Sequence, residues 1–339
     1  MVICRRFNAG TIIIAIKDKN SFMNNINIPL ELSYRDVFLK PQKCIVHSRS
    51  ECDTSVKLGN FTFDLPVYPA NMKSVVSIDT CKYLAQRNCF YTMHRFGIDP
   101  VSFTVFMHQH GLISSISVGV KEESILQIEK LSNMYCPPEF ITIDIANAWT
   151  ERIKNLIYKI KNILPTSFLI VGNVASSEAC KELESWGADA IKVGISGGAA
   201  CITKLKTGFY RPMMSTLMDC WDSVKVPIIA DGGIENHGDI AKALTCASMV
   251  MAGSLFSGYD ESAGEIVNHN GKFYKEYFGS ASEFNKEERK NIEGKKLLVE
   301  YKGSMDNLLR ELKEDLQSSI SYASGKDLSV FSPHLLLRT

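Results

Sequence analysis

Short apolar runs recur along the chain from Leu65 onward, and each is followed by a stretch of mixed polar and apolar residues. Most of the runs are continuously apolar rather than alternating, a pattern typical of parallel strands that are buried on both faces. We therefore predict eight strands, over residues 65–72, 89–96, 113–120, 140–147, 167–175, 190–195, 226–233 and 249–256.

The intervening stretches carry apolar residues at three- and four-residue spacing, as in residues 122–135 and 150–164, which predicts amphipathic helices. Eight strand–helix units in a chain of 339 residues favour an α/β fold of the (β/α)8 TIM-barrel type. The alternative is a doubly wound open sheet. Active sites of barrels lie at the carboxyl ends of the strands, and those ends here carry Asn71, His94, Asp144, Asn173, Gly194, Asp231, Gly232, Gly233, Gly253 and Ser254.

The remaining segments suggest a division of the chain. We expect an N-terminal extension over residues 1–30, a single barrel domain over residues 31–325 and a C-terminal tail over residues 326–339. Residues 259–302 are rich in Lys, Glu, Gly and Asn, so we expect a mobile flap there rather than core. Residues 306–323 predict a closing helix.

Composition narrows the class of protein. The chain is 45% hydrophobic and 22% charged, as globular proteins are, and its net charge of +1 without a basic stripe argues against a nucleic-acid partner. No stretch approaches the ~20 apolar residues of a membrane helix, and the N-terminus shows no clear cleavage site. We expect a cytoplasmic protein with no membrane partner. The ten cysteines form no CxxC pair, which favours reduced thiols over a zinc site.

One cysteine has unusual surroundings. Cys201 lies in GISGGAACITKLKTG (residues 194–208), whose glycines and alanines provide little core for a thiol. A cysteine in such a loop at a barrel mouth is placed for nucleophilic attack, although it could also be a small buried hydrophobic residue. Asp231 and its two following glycines could bind ribose hydroxyls and a phosphate, or could form a simple turn with an N-capping aspartate.

A series of motifs occurs in fixed order: SRSECD, PANM, MHRF, SVGVKEE, TIDIA, GNVA, GADAIKVGI, CITKLKTGF, PIIADGGI, HGDIAKAL, MVMAGSLFSG, KEYFGSASEF, EGKK and DLQSSISYA. From about Leu30 to Ala323 the sequence resembles the inosine monophosphate (IMP) dehydrogenase and guanosine monophosphate (GMP) reductase family, most closely the bacterial-type reductases. Two features favour the reductase branch. Residues 96–113 leave no room for the regulatory domains that dehydrogenases usually carry, and Glu293 stands where dehydrogenases have glutamine.

The resemblance implies NADPH-dependent conversion of GMP to IMP and ammonia, in purine salvage. Cys201 would attack C2 of guanine and form a covalent thioimidate, which suits a thiolate because it is both a nucleophile and a leaving group. Thr203 and Glu293 would transfer the proton that turns the amino group into ammonia. Taken alone, Thr203 could cap a turn and Glu293 could be one charge of a solvated segment.

The resemblance also implies two sets of binding residues. GMP would contact Asp231, Gly232, Gly233, Gly253, Ser254, Gly279, Ser280, Ala281, Lys290 and Gly294. NADPH would contact Arg95, Asp144, Ala146, Asn147, Ser280, Ser318, Ser319 and Ser321. Ser48 and Arg49 would reach the cofactor from a neighbouring subunit, so the resemblance implies a homotetramer.

The loop before the cysteine departs from the family pattern Gly-x-Gly-Pro-Gly. Ser196 stands in place of a glycine and Gly197 in place of the proline. The family uses backbone carbonyls here, in this chain those of Ser196, Gly198, Cys201 and Lys204, to hold a monovalent cation or to shape the loop. Potassium binding is therefore an expectation that the loss of proline weakens.

Two alternatives to the reductase stay open. An IMP dehydrogenase without regulatory domains would need an Arg-Tyr pair in the flap, but Arg289 has no adjacent tyrosine. A purine-nucleotide-binding barrel without catalysis would have no need for Cys201, Thr203 and Glu293 together.

Overall fold

The computed structural model describes residues 2–6, 12–16, 25–134, 136–286 and 292–339. Short strands make up the part that precedes the main sheet: β1 (Val2–Arg6), β2 (Ile12–Ile16), β3 (Asn25–Ile28), β4 (Val37–Leu39), β5 (Val56–Leu58) and β6 (Phe61–Phe63). The first three form an antiparallel sheet, and β5 pairs with β6 in a hairpin.

A curled sheet of parallel strands lies at the centre of the molecule. Its strands are β7 (Val67–Pro69), β8 (Ser115–Val118), β9 (Phe140–Asp144), β10 (Phe168–Val174), β11 (Ala190–Val193), β12 (Ile228–Asp231) and β13 (Met249–Ala252). The order is β7-β13-β12-β11-β10-β9-β8, so the first of these strands pairs with the last. A doubly wound sheet has its first strand in the interior, and the observed order contradicts that alternative.

Helices follow the strands as the apolar spacing predicts. They are α1 (Ile78–Ala85), α2 (Pro100–Gln109), α3 (Glu122–Ser132), α4 (Glu151–Ile163), α5 (Ser177–Trp186), α6 (Thr203–Thr207), α7 (Met213–Cys220), α8 (His237–Leu244), α9 (Glu283–Lys286) and α10 (Met305–Tyr322). Hydroxyl groups cap the starts of four of them; for example, Thr150 accepts the N–H of Ile153, and Ser176 accepts that of Ala179. Each cap satisfies an N–H that has no partner within its helix.

The predicted strand over residues 89–96 is wrong, whereas the other seven predicted strands are confirmed. This segment contributes only a parallel bridge between Met93 and Ile116. The N–H of Cys89, the first residue of the segment, instead donates to the carbonyl of Leu84 near the end of α1. Phe90 nevertheless packs inside the curl of the sheet, with its ring centroid 5.0 Å from that of Phe140. The segment therefore lies beside β8 without the hydrogen-bond ladder of a strand.

The sheet is buried on both faces, as the continuous apolar runs predict. On β10, Leu169 and Val171 face the helices, while Ile170 lies in a second cluster inside the curl. Val56 and Phe63 of the β5–β6 hairpin join this inner cluster. Since these side chains and the strand interiors fill the curl, the space for a ligand lies at the carboxyl ends of the strands.

The segment predicted as a flap contains a sheet of its own, which the sequence analysis did not predict. It consists of β14 (Ile266–His269), β15 (Lys272–Phe278) and β16 (Lys296–Glu300), paired antiparallel. Near the end of the chain, β17 (Leu336–Arg338) pairs with β4. Among the described helices, none is long and apolar enough to cross a membrane.

Candidate active site

A groove of about 1200 Å³ opens at the carboxyl ends of the parallel strands. Many of the residues singled out from the sequence line it: Arg95, Asp144, Ala146, Ser196, Gly198, Cys201, Thr203, Asp231, Gly279, Ser280, Ala281, Glu293 and Gly294. The fold therefore brings the three candidate catalytic side chains and part of each set of candidate nucleotide contacts to one place.

Cys201, Thr203 and Glu293 form a hydrogen-bonded chain. The Cys201 thiol donates to Thr203 Oγ1 over 3.2 Å, and the Thr203 hydroxyl donates to Glu293 Oε2 over 2.6 Å. Thr203 and Glu293 are 90 residues apart in sequence. A hydroxyl group can accept and donate at once, so this chain can carry a proton between the carboxylate and a ligand bound at the sulfur.

Backbone hydrogen bonds hold the two sides of this chain together. The N–H of Ile202 donates to Glu293 O over 2.8 Å, and the N–H of Lys295 donates to Ala200 O over 2.9 Å. These contacts form an antiparallel bridge between Cys201 and Gly294. We call this contact the loop–flap bridge. It fixes the separation of the thiol and the carboxylate through the backbone.

The cysteine loop has a tightly constrained entry. Gly194 adopts φ +138°, and a Cβ at this position would lie 2.2 Å from Asp231 O, so only glycine fits. Ser196 has φ +64°, the left-handed conformation that costs a residue other than glycine about 1–3 kcal/mol. Its hydroxyl donates to Phe209 O over 3.2 Å, which partly offsets this cost.

The chain matches the model of the IMP dehydrogenase / GMP reductase domain over residues 31–335. The chain belongs to this family. A relative named GMP reductase from Chromobacterium violaceum is 60% identical over 303 residues, covering 89% of this chain and 96% of the relative. A second GMP reductase, from Shouchella clausii, is 54% identical over 299 residues, covering 87% of this chain and 91% of the relative. The family resemblance inferred from the motifs is confirmed.

A buried lysine, which the sequence analysis did not single out, joins two acids of the candidate site in this family member. Lys192 on β11 is 2% exposed, and its Nζ lies 2.8 Å from Asp144 Oδ1 and 2.5 Å from Asp231 Oδ2. Burial by itself would lower the pKa of Lys192, but the two carboxylates outweigh it and hold that pKa above its usual value. Burial would raise the pKa of Asp144, yet the Lys192 ammonium holds it below the usual range.

Two asparagines at strand ends complete this network. Asn71 donates to Asp144 Oδ2 over 3.0 Å, and Asn173 donates to Asp231 Oδ2 over 2.8 Å. Asn173 also donates to the carbonyl of Gly194 over 2.6 Å, which links the carboxylate to the start of the cysteine loop. The sequence analysis noted both asparagines as strand ends without giving them a role.

Tyr277 of β15 is a further residue that the sequence analysis missed. Its hydroxyl faces Gly253, where an added Cβ would lie 2.3 Å from the oxygen. The side chain is buried, and burial raises the pKa of the phenol, so it stays protonated. A protonated hydroxyl at the glycine of the predicted phosphate site adds a hydrogen-bond donor there.

Arg95 lines the groove, and the buried His94 precedes it in the chain. The Nε of Arg95 is buried and has no hydrogen-bond partner among the described residues. His94 accepts the N–H of Phe96 at Nδ1, and burial, together with the charge of Lys73, lowers its pKa to about 4. The imidazole is therefore neutral at physiological pH, while the arginine keeps donor capacity for a ligand.

Some of the singled-out residues lie elsewhere. The groove lining does not include Lys204, the second residue of α6, nor Gly232, Gly233, Gly253, Ser254 and Asn147, which follow a lining residue by one to three positions. Ser48, Arg49, Ser318, Ser319 and Ser321 are not part of the lining either. Arg49 instead donates to Ser318 Oγ over 3.1 Å and to Tyr322 Oη over 3.3 Å. Lys290 lies outside the described residues.

Two of the four carbonyls predicted to hold potassium accept backbone hydrogen bonds. The carbonyl of Gly198 accepts the N–H of Cys201 over 3.0 Å, and that of Lys204 accepts the N–H of Gly208 over 3.1 Å. Each carbonyl keeps a second lone pair. Within the described part of the chain, no group of three or more His, Cys, Asp or Glu side chains could hold a metal ion.

Proposed function

We propose that the protein is a GMP reductase, which converts GMP to IMP and ammonia with NADPH as reductant, in purine salvage. The observation that carries the proposal is the hydrogen-bonded chain from Cys201 through Thr203 to Glu293 in the groove. A nucleophile linked to a proton carrier is what replacement of an amino group on an aromatic carbon requires. The names of the two relatives support the same substrate.

The protein's own groups account for the first half of the reaction. The Cys201 thiolate attacks C2 of the guanine ring and forms a carbon–sulfur bond. Glu293, through the Thr203 hydroxyl, delivers a proton to the exocyclic amino group, which leaves as ammonia and gives a thioimidate. Proton transfer by positioned groups contributes about 10²–10⁴-fold to a rate. Bound in the groove, NADPH would supply a hydride to C2, and the Cys201 sulfur would then leave as the thiolate as the carbon–sulfur bond breaks and IMP is released.

The geometry around the sulfur supports one placement of GMP. Asp231 Oδ2 is held by Lys192 and Asn173, which leaves Oδ1 to accept ribose hydroxyls. We propose that the phosphate binds the backbone of Gly232, Gly233, Gly253 and Ser254, together with the Tyr277 hydroxyl. The base would lie against Gly279, Ser280, Ala281 and Gly294, with Lys290 as a further contact.

The residues of the groove fit a dinucleotide cofactor. The unpartnered Arg95 Nε is a donor for an anionic group, and a Cβ at Gly119 would lie 3.3 Å from Arg95 Nη1, so this backbone leaves room for the guanidinium. Asp144, Ala146, Asn147 and Ser280 would hold the nicotinamide half. We propose that Ser48, Arg49, Ser318, Ser319 and Ser321 serve a neighbouring subunit's groove in a homotetramer, because they lie outside the lining of their own.

Four finer features complete the proposal. We propose that residues 89–96 close the curled sheet into a (β/α)8 barrel, supported by the Met93–Ile116 bridge and the inward position of Phe90. The domain limits are those predicted above: residues 1–30, 31–325 with a flap over 259–302, and 326–339. A cytoplasmic location and a potassium ion at the carbonyls of Ser196, Gly198, Cys201 and Lys204 are supported by family resemblance.

The decisive experiment mixes the purified protein with GMP and NADPH and follows loss of reduced-nicotinamide absorbance. We expect GMP-dependent oxidation that falls by more than about 10³-fold in Cys201→Ala, because no other group replaces the nucleophile. Cys136→Ala is the matched control, since Cys136 is exposed and outside the groove. Its activity should equal that of the wild type.

The same assay separates the alternatives. IMP with NAD is run in parallel, and activity with this pair alone would identify a dehydrogenase. If neither pair reacts while GMP still raises the melting temperature, the protein is a nucleotide-binding barrel without catalysis, and the proposed function is wrong.

A further inference from the structure

Lys192 lies on the middle strand of the central sheet. A buried ammonium group at such a position requires compensating charges. The side chain is 2% exposed and is among the largest fully buried side chains of the described residues. An isolated buried charge costs several kcal/mol, and partners recover that cost only when the geometry is good. Its two ion pairs, at 2.8 Å to Asp144 and 2.5 Å to Asp231, supply such partners.

The two carboxylates come from strands on opposite sides of the lysine. Asp144 ends β9 and Asp231 ends β12, while Lys192 projects from β11 between them. Asp231 has been assigned above to the ribose of GMP, and Asp144 to the cofactor. One cation therefore contacts one acid of each nucleotide subsite.

The two acids that pair with Lys192 differ in the charged groups around them. Arg95 lies close enough to lower the pKa of Asp144, and it would remain if the lysine were neutralised. Around Asp231, the phenols of Tyr34, Tyr68 and Tyr277 sense its charge, and burial keeps all three protonated. Among the described residues, Lys192 is the cation that pairs with Asp231.

We propose that Lys192 is a positioning residue shared by both nucleotide subsites, which keeps Asp231 and Asp144 ionised and fixed in place at the same time. This inference rests on the proposed function, because it takes the assignment of the two acids from it. Without the ammonium, the part-buried Asp231 carboxylate would face neutral phenols and would lose the cation that it shares with Asp144. Burial and a like charge both favour the protonated form of a carboxyl group, so loss of the shared ammonium would favour one proton held between the two acids.

The test is GMP binding measured by calorimetry without cofactor, between pH 6 and pH 9, for the wild type and Lys192→Gln. We divide the dissociation constant of Lys192→Gln by that of the wild type. This ratio cancels the effect of GMP phosphate titration, which is the same for both proteins. We expect this ratio to fall by about tenfold from pH 6 to pH 9, as the pair of acids in the variant loses the shared proton. Lys192→Arg keeps the charge and should give a ratio that does not change with pH.

Lys121→Gln is the matched control, since Lys121 is an exposed lysine lining the same groove. Its dissociation constant should keep a constant ratio to that of the wild type. If Lys192→Gln folds, as judged by its melting curve, and its ratio is equally constant, the lysine does not maintain the charge of Asp231 and the inference is overturned. Failure of the wild type to bind GMP would instead overturn the proposed function.

A second measurement needs no variant. At pH 8 the phosphate of GMP is fully ionised, because its second pKa is about 6. If Lys192 already holds both acids ionised, wild-type binding exchanges no protons, and the heat of binding is equal in buffers of different ionisation enthalpy. Uptake or release approaching one proton would show that the acids share a proton in the native protein, which contradicts the inference.

Discussion

The Thr203 hydroxyl has two partners of different chemistry, a thiol at 3.2 Å and a carboxylate at 2.6 Å. Because one oxygen both accepts and donates, it can pass a proton that neither partner could pass directly. The carboxylate matters only in its ionisable form, since an amide in its place could donate a hydrogen bond without exchanging the proton.

Replacing Glu293 by glutamine should therefore separate binding from chemistry. We expect kcat with GMP to fall by about 10²–10⁴-fold, while the dissociation constant of GMP stays within about threefold of the wild-type value. Glu300→Gln, an exposed position at the end of β16, is the control and should leave both quantities unchanged. Equal losses in binding and turnover for Glu293→Gln would count against a role in proton transfer.

Single residues were the least predictable from sequence where their role depends on distant partners. Lys192 stands in an apolar strand, GADAIKVGI, and a lysine inside such a run is itself a signal, because a buried ammonium requires acids nearby. The sequence does not say which acids. Tyr277 carries no comparable signal, since an aromatic residue in β15 suits any half-buried strand. By contrast, Cys201, Thr203 and Glu293 were predicted from the family register, and the fold brings them together in the groove.

At the scale of elements, the cysteine loop depends on one glycine. Gly194→Ala should lower the free energy of unfolding by about 3 kcal/mol, because the methyl group would meet Asp231 O and Met213 Sδ while the backbone keeps φ +138°. Urea unfolding measures this change, and calorimetry with GMP should show weaker binding as Asp231 moves.

Gly208→Ala tests the effect of backbone strain without a steric clash. Gly208 also has a positive φ, +79°, but nothing lies within 4 Å of a Cβ there. We expect a loss of only about 1 kcal/mol and normal GMP binding. A loss at Gly208 as large as that at Gly194 would mean that backbone conformation, and not the contact with Asp231, sets the requirement.

The elements that sequence reasoning misjudged have identifiable causes. The strands of residues 259–302 were hidden by a composition rich in Lys and Glu, although Asn270 and Gly271 between β14 and β15 are a strong hairpin signal. Residues 89–96 have the composition of a strand, but a backbone ladder depends on neighbours that no local pattern shows. The parallel strands were predictable because burial on both faces produces continuous apolar runs.

At the scale of the whole molecule, the candidate cofactor contacts fall into two groups that one chain does not bring together. Arg95, Asp144 and Ala146 line the groove, whereas Arg49 lies against Ser318 and Tyr322 outside it. A second copy of the chain would resolve this separation if its Arg49 approached the first copy's groove. The sequence predicts which residues contact the cofactor, but their arrangement around it depends on the assembly.

Sedimentation of the purified protein should accordingly give the mass of a tetramer of the 37.8 kDa chain. Arg49→Ala should raise the KM for NADPH by about tenfold, the usual effect of losing a charged hydrogen bond, without changing the dissociation constant of GMP. A fully active monomer, or an Arg49 variant with an unchanged KM, would show that the groove is complete within one chain.

The loop–flap bridge has a consequence for inhibition. Two backbone hydrogen bonds of ordinary strength, from the N–H of Ile202 to Glu293 O and from the N–H of Lys295 to Ala200 O, hold Glu293 within reach of Thr203. A small molecule with an extended amide edge could compete for the N–H of Ile202 and the carbonyl of Ala200, and so enter between the two segments. Such a molecule would separate Glu293 from Cys201 without reacting with the thiol. It would therefore inhibit a thiol enzyme reversibly, without an electrophilic group.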